Sequence, residues 1–422
     1  MCVSVCTEGN SMKKVFLIGT SGGTREGLSA EALGLIDSAG LVIGAERLIN
    51  NIHPKRFGTK ALTASTEILA AIRETKAEQV AVLFSGDTGF FSGAGRLISL
   101  LFDSKIDYEV IPGLSSLSLA AAAFGLSYED VKAVSLHGRV QDMWTLKRAV
   151  IAGLMSGKPV FFLTDSYANP AAIASCIKEC GCPELMVHIG ENLGSPNQGL
   201  FSGTAAEAAE GEFSPLSVVF TEAAPVTKLT AAGLPDGAFL RKEGVPMTKR
   251  FARSAILSAL EMQSGDVVWD IGAGTGSVSV EAALLNPTGM VCSIECEPER
   301  AELVRENRAR FHAFNMEVIS GTAPEVLSGL PDPNRVFIGG SDGNLSSIVS
   351  AVLAANPRAR MVLSAVTLET IAEAQKTFAE KKVSYEAVTI DVSESKEVGT
   401  YHMMRGQNPV TLFIAGGPEA EG

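Results

Sequence analysis

The chain has 422 residues, of which 46% are hydrophobic and 19% charged, so it is too long for one ordinary core and too apolar to be disordered. Its formal net charge of −12 argues against non-specific nucleic-acid binding, which depends on neutralising phosphates. No apolar run reaches the roughly 18 residues of a membrane helix, so two folded domains are expected, with no membrane partner and a cytoplasmic location.

Residues 1–10 have neither a basic start nor an apolar stretch and read as a short lead-in, not a signal peptide. Lys14 to Gly19 is a short apolar run that enters Thr20-Ser21-Gly22-Gly23-Thr24, a buried strand followed by a glycine loop. Helical spacing follows from Leu28 to Asp37, then a strand at Leu41 to Gly44. Val80 to Phe84 is the next strand, and Ser85-Gly86-Asp87-Thr88-Gly89-Phe90 follows it. Asp87 ends a strand between glycines, where it either caps the next helix or faces a ligand. Tyr108 to Ile111 leads into Pro112-Gly113-Leu114-Ser115-Ser116. Further strands are expected at 131–136, 159–164, 185–189 and 216–221, and the alternation with helices predicts a mostly parallel α/β sheet.

The seven cysteines include Cys176, Cys180 and Cys182. They lack a second ligand pair at zinc spacing and read as reduced thiols, so no metal is expected.

In order and spacing, these segments resemble the tetrapyrrole methylase family over nearly all of residues 13 to 223. The matching residues are Gly19–Gly23 with Leu28-Ser29, Ser85–Phe90, Val110–Ser116, Leu136-His137-Gly138-Arg139 and Gly190-Glu191-Asn192-Leu193-Gly194. The resemblance implies a fold of two α/β subdomains that methylates porphyrin-like rings with S-adenosylmethionine. It places Asp87, Phe90, Ser115 and Ser116 at the methyl-donor site, and His137 and Arg139 on the tetrapyrrole side. The family usually has a proline within the first glycine loop and another after the aspartate. Here those positions hold Ser21-Gly22-Gly23 and Thr88.

Turn formers between 225 and 236 mark a boundary, which gives domains at 13–225 and 236–417. Five cations then fall within Arg241–Arg253. They suit an anionic substrate, because Lys and Arg are unfavourable near a helix N-terminus. Strands follow at 267–271, 290–294, 318–320, 336–338 and 361–363, with helices after Gly276, Pro298, Pro324, Asn344 and Thr367. Residues 384–391 and 409–415 are expected as a closing antiparallel hairpin joined only by a loop. Five βα units and such a hairpin are the arrangement of a Rossmann-like methyltransferase.

The loop Asp270-Ile271-Gly272-Ala273-Gly274-Thr275-Gly276 agrees. A dinucleotide fingerprint needs its third glycine where this chain has Ser277. Asp270 suits a cationic donor such as S-adenosylmethionine and would repel a pyrophosphate. Glu295, at the end of the next strand, is placed to accept ribose hydroxyls. Gly339-Gly340 end the fourth strand, leaving room for a bulky substrate and supplying no base. Arg405 is a second candidate clamp for carboxylates.

Residues 244–416 resemble the decarboxylating cobalt-precorrin carbon-15 methyltransferases. The match rests on Pro246-Met247-Thr248-Lys249, Asp270–Gly276, Gly321-Thr322-Ala323-Pro324, Phe337–Ser341 and Gln407-Asn408-Pro409-Val410. It adds Thr248, Glu295 and Ala323 to the donor contacts, and Gly321-Thr322, which follow the third strand, are expected to lie over the adenine. The family commonly has an acid soon after the Thr-Lys pair, where this chain has Phe251-Ala252, and no general acid or base is assigned. The two halves together resemble bifunctional precorrin methyltransferases of cobalamin synthesis. That implies a precorrin substrate, methylation at carbons 5 and 15, and loss of a ring acetate's carboxyl. A basic rim of Lys249, Arg253 and Arg405 would meet the substrate's carboxylates, and the chain is expected to form a homo-oligomer. The alternative is a methyltransferase for nucleic acid or protein, with the first half a scaffold.

Overall fold

A computed structural model describes residues 13–55 and 58–416. The lead-in at 1–10, with its Cys2 and Cys6, and residue 417 of the expected second domain lie outside the described residues. Those described fall into two compact units: 13–140, 159–174 and 186–222 form one, and 141–158, 175–185 and 223–416 the other.

The first unit holds two five-stranded sheets. One contains β1 (Lys14–Gly19), β2 (Leu41–Gly44), β3 (Thr59–Ala61), β4 (Gln79–Phe84) and β5 (Asp107–Ile111), in the order β3-β2-β4-β1-β5. All of its pairs are parallel. The apolar runs that identify β1 and β4 belong to interior strands covered on both faces, which is why they are continuous and not alternating. The other contains β6 (Lys132–Ser135), β7 (Val160–Leu163), β8 (Met186–Glu191), β9 (Gly199–Thr204) and β10 (Ser217–Thr221), in the order β6-β7-β10-β8-β9.

Only β6 and β7 are parallel there. β10 runs antiparallel to both neighbours, and β9 antiparallel to β8. The expectation of a mostly parallel sheet fails at this point. Only seven residues, 192–198, join β8 to β9, too few for the crossover a parallel pair requires.

The second unit is built on β11 (Val267–Ile271), β12 (Met290–Glu295), β13 (Met316–Ser320), β14 (Arg335–Ile338), β15 (Arg360–Ala365), β16 (Tyr385–Ile390) and β19 (Val410–Ala415). Their order is β13-β12-β11-β14-β15-β19-β16, parallel from β13 to β15. β19 is antiparallel to both β15 and β16, so it lies inside the sheet and β16 forms the edge.

Two expectations are corrected in this unit. The segment between β16 and β19 is a two-stranded ribbon, β17 (Ser393–Val398) paired with β18 (Tyr401–Gly406), exposed along its length. Both faces of it are polar or solvated, so no alternation of buried residues signals it. After Pro324 there is a 3-10 turn, Glu325–Gly329, where an α-helix is expected. Pro331 and Pro333 follow too soon for a helix to propagate.

Candidate functional sites

Each unit places a cleft at the carboxyl ends of its parallel strands, where open α/β sheets bind ligands. In the first, the loops after β1, β4 and β5 pack backbone to backbone. A Cβ on Gly19 would stand 2.6 Å from the Gly113 nitrogen and 2.8 Å from the Gly86 carbonyl, so only glycine permits the approach. Ser21 and Gly86 exchange two hydrogen bonds of 3.0 Å, and Ser21 Oγ accepts from the Leu114 N–H at 2.9 Å. Ser21 has φ +51°, a left-handed backbone that residues other than glycine uncommonly adopt. Asp87 ties the loops together: its carboxylate accepts from the Gly89 N–H at 2.8 Å and the Gly113 N–H at 3.2 Å.

A cleft of about 470 Å³ opens here, lined among others by Asp87, Phe90, Ser116, His137 and Arg139. Phe90 is braced by Phe91 and Phe161, with ring centroids 4.9 and 5.9 Å away. His137 Nδ1 lies 3.1 Å from the Thr164 carbonyl, and the Arg139 guanidinium stands 5.9 Å from the centre of the Phe91 ring. Asp165 also faces the cleft. Partial burial opposes its charge, but N–H donors from Ala168, Gly138 and Tyr167 outweigh that and hold its carboxyl below the usual range.

In the second unit, β11 is buried at every residue and ends in the glycine loop. Gly272, Gly274 and Gly276 all have left-handed backbone, at φ +77°, +58° and +74°. Added Cβ atoms would meet the Gly340 backbone at 2.7 Å from Gly272, and the Pro246 carbonyl at 2.8 Å from Gly274. The loop is thus clasped between the end of β14 and the segment that carries Thr248. Glu295 Oε2 accepts from the Gly274 N–H at 2.8 Å, and Oε1 accepts from the Glu297 N–H at 3.2 Å. Gly321, Thr322 and Ala323 line the same small hollow as Gly272, Cys296 and Gly340.

Asp270 is buried, and Ser279, which also bonds Ser293, donates its hydroxyl to it. Burial pushes its carboxyl up to about 6; the Ser279 bonds oppose the shift and the nearby Glu295 charge adds to it. Its Oδ1 and the Thr275 hydroxyl are buried without a hydrogen-bond partner. Unpaired polar atoms beside a glycine cradle are the kind of feature a polar, cationic cofactor satisfies.

Two family models match the chain: tetrapyrrole (corrin/porphyrin) methylases over residues 14–209, and a precorrin methyltransferase domain over 238–416. A precorrin-6Y C(5,15)-methyltransferase (decarboxylating) from Sinorhizobium is 31% identical over 392 residues, 92% of each chain. This chain belongs to the precorrin-6Y C(5,15)-methyltransferase family. The cobalt-precorrin-6B C(15)-methyltransferase (decarboxylating) of Salmonella typhimurium is 36% identical across 42% of this chain and 93% of its own length. A crystal structure of precorrin-6Y C5,15-methyltransferase from Geobacter metallireducens has 37% identity and a TM-score of 0.42, covering 44% of this chain and 96% of that one.

The basic segment does not present all of its cations to a substrate. Arg253 is fully buried and unavailable to a substrate. Its Nε donates to Glu281 at 2.6 Å, and its remaining nitrogens to the carbonyls of Thr248 and Leu234 at 2.6 and 2.5 Å and to Asp236 at 3.3 Å. The Phe239 ring centre is 4.8 Å from the guanidinium carbon. Glu281 also accepts from the Gly233 and Leu234 N–H groups, so the pair pins residues 233–236 to the helices Arg250–Leu260 and Ser277–Leu285. Lys249 stays exposed, 3.9 Å from Asp236. Arg405 lies on the exposed ribbon opposite Glu394 and is not among the residues lining the hollow beside the glycine loop.

Ser115 also differs from expectation. Its hydroxyl accepts from the Ser118 N–H at 3.0 Å and caps the helix Ser116–Phe124, and it does not line the first cleft. Gly339 packs closely, since a Cβ there would stand 3.2 Å from the Gly272 carbonyl, whereas a Cβ on Gly340 would meet nothing within 4 Å, so the open space lies beside Gly340. Arg47 and Asp165 were missed. Asp165 follows β7 as Asp87 follows β4, so the same strand-end rule would have found it. Arg47 lines the first cleft from the first turn of the helix Glu46–Ile52, and no motif marks it. Cys176, Cys180 and Cys182 are buried free thiols. Among the described residues, no group of three His, Cys, Asp or Glu is arranged to hold a metal ion.

Proposed function

We propose that this chain methylates a precorrin at carbons 5 and 15 and removes the carboxyl group of a ring acetate, in cobalamin biosynthesis. The observation that carries the reading is the near-complete match to one decarboxylating C(5,15)-methyltransferase, with two different methylase families on one chain. The domains are 13–225 and 236–417: a tetrapyrrole methylase fold of two α/β subdomains, then a Rossmann-like methyltransferase fold. The second unit's strand order, with its antiparallel end, supports the latter.

The methyl donor in both is S-adenosylmethionine, which supplies an electrophilic methyl group when bound. In the second unit, Asp270, Gly272–Gly276, Glu295, Thr248 and Gly321–Ala323 would hold it; the unpaired oxygens of Asp270 and Thr275 and the glycine cradle support this. In the first, Asp87, Phe90 and Ser116 would do so, with His137 and Arg139 toward the macrocycle. The chain's chemical contribution is chiefly alignment and exclusion of water, and orientation alone can lower such a barrier by ~7–11 kcal/mol. At the second site, loss of carbon dioxide leaves an enamine-like carbon, for which the aligned methyl is the electrophile. Lys249 is the cation of the Arg241–Arg253 segment we assign to substrate carboxylates there.

A cytoplasmic location goes with this reading. So does homo-oligomer formation, supported by Val398, Tyr401, Met403 and Met404 exposed together on the ribbon. The test is to incubate the full chain with a precorrin-6 substrate and isotopically labelled donor, then count methyl groups and carbon dioxide by mass spectrometry. Two methyls and one carbon dioxide per macrocycle are expected; incorporation without carbon dioxide release would sink the second-site assignment.

A further inference from the structure

Beside the first unit's main cleft lies a second of about 440 Å³, to which neither the sequence motifs nor the family matches assign a role. The two share Gly22, Arg47 and Leu216 in their walls. Arg47 belongs to the helix Glu46–Ile52, which follows β2. Its guanidinium occupies space left by the missing side chain of Gly23: a Cβ there, at φ +77°, would come within 3.0 Å of Nη1. The other nitrogen donates to Ser85 Oγ at 3.1 Å. Arg47 is therefore braced between the loops after β1 and β4, and among the described residues it has no carboxylate partner. Asn50 and Asn51 stand three and four positions further along, on the same helix face. They line the second cleft with His53, which follows the helix, and Asn192 and Asn197 form the opposing wall. Glu26 is the one acid in that lining.

A fixed guanidinium flanked by the neutral amides of Asn50 and Asn51 matches a carboxylate in geometry and charge, while the Asn192 amide nitrogen donates to Ser214 Oγ at 3.1 Å and to the Asn197 carbonyl at 3.4 Å. Resting on the function proposed above, we propose that this second cleft is a carboxylate subsite. It seats a peripheral acetate or propionate of the macrocycle while the ring carbon to be methylated lies in the main cleft. Arg47, on the shared wall, would set the register between them and so help decide which carbon is presented.

The donor also carries a carboxylate, so the experiment separates the two sources. Arg47→Met, Arg47→Lys and Asn50→Ala are made in the full chain, with thermal midpoints checked against wild type. Steady-state methylation at carbon 5 gives the macrocycle KM, and calorimetry with S-adenosylhomocysteine gives donor-site affinity. Losing one charge-assisted contact should raise the macrocycle KM for Arg47→Met roughly 10- to 100-fold. Donor affinity should hold, with Arg47→Lys restoring part of the loss and Asn50→Ala showing a smaller rise. A weakened donor affinity with an unchanged macrocycle KM overturns the proposal in favour of the donor's carboxylate, and no change in either overturns it outright.

A readout without turnover keeps the subsite separate from the function. Fluorescence titration with uroporphyrin, a porphyrin bearing acetates and propionates, is compared with its fully amidated form. Wild type should prefer the acid, and Arg47→Met should lose much of that preference. An undiminished preference in the variant refutes the subsite, whereas absent carbon-5 methylation by wild type refutes the functional reading.

Discussion

Replacing Arg253 by alanine tests the reassignment of a fully buried cation. The change leaves Glu281 buried with two backbone donors but no counter-charge, and strips the Thr248 and Leu234 carbonyls of their partner. Breaking a buried ion pair by removing one member typically costs ~3–5 kcal/mol. At about 2–4 °C per kcal/mol for a unit of this size, the second unit should lose ~6–20 °C in its thermal midpoint. Arg253→Lys keeps the charge but not the fork of donors, and should fall between. Calorimetry of the full chain is the assay, with exposed Arg241→Ala as a control that should stay within about 0.5 kcal/mol of wild type. An unmoved midpoint in Arg253→Ala, together with a raised macrocycle KM, would return Arg253 to the substrate rim and refute the structural role.

Gly274→Ala puts a side chain 2.8 Å from the Pro246 carbonyl at φ +58°. It should weaken S-adenosylhomocysteine binding at the second site and cut carbon dioxide release; calorimetry showing two unaltered sites would count against that loop as the donor cradle. Asp87→Ala frees the Gly89 and Gly113 N–H groups and should depress methylation at carbon 5 far more than at carbon 15, as read by the position of the isotope label; equal losses would contradict the division of labour. Burial raises the Asp270 carboxyl from 3.8 to about 6, so the folded state holds its proton more tightly than the unfolded chain. That contribution is complete below pH ~3.8 and lost as pH rises through ~6, and by linkage the shift is worth about 3 kcal/mol. Asp270→Asn should therefore flatten this part of the stability–pH curve measured by denaturant titration; a slope identical to wild type would mean the carboxyl is not shifted.

Both glycine loops were legible in the sequence because their constraint is local. A turn after an apolar strand that needs left-handed backbone and close approach favours glycine, and Gly272, Gly274 and Gly276 meet that need, although Ser21 takes such a backbone in the first loop. The parallel strands were legible too, since strands covered on both faces are written as continuous apolar runs. Edges and ribbons were harder to read: β3 and the β17–β18 pair are exposed, so burial leaves no periodic mark on them. Antiparallel β10 looks locally like any buried strand, and its direction depends on where its neighbours lie.

Charge was the least local property of all. Lys249 and Arg253 sit four residues apart in one basic run, yet one is exposed and the other is sealed against Glu281, Asp236 and Phe239. Nothing near Arg253 in sequence announces Glu281, which arrives from another helix 28 residues on. Arg47 shows the reverse case, an unremarked helix residue that becomes interesting once the loops after β1 and β4 close around it. Sequence alone determined the motifs, the order of the two halves and the chemistry they resemble, because backbone conformation and strand burial are encoded within a few residues. The tertiary structure decided which cations face solvent and which serine caps a helix, because burial and counter-charge are supplied by segments far apart in the chain.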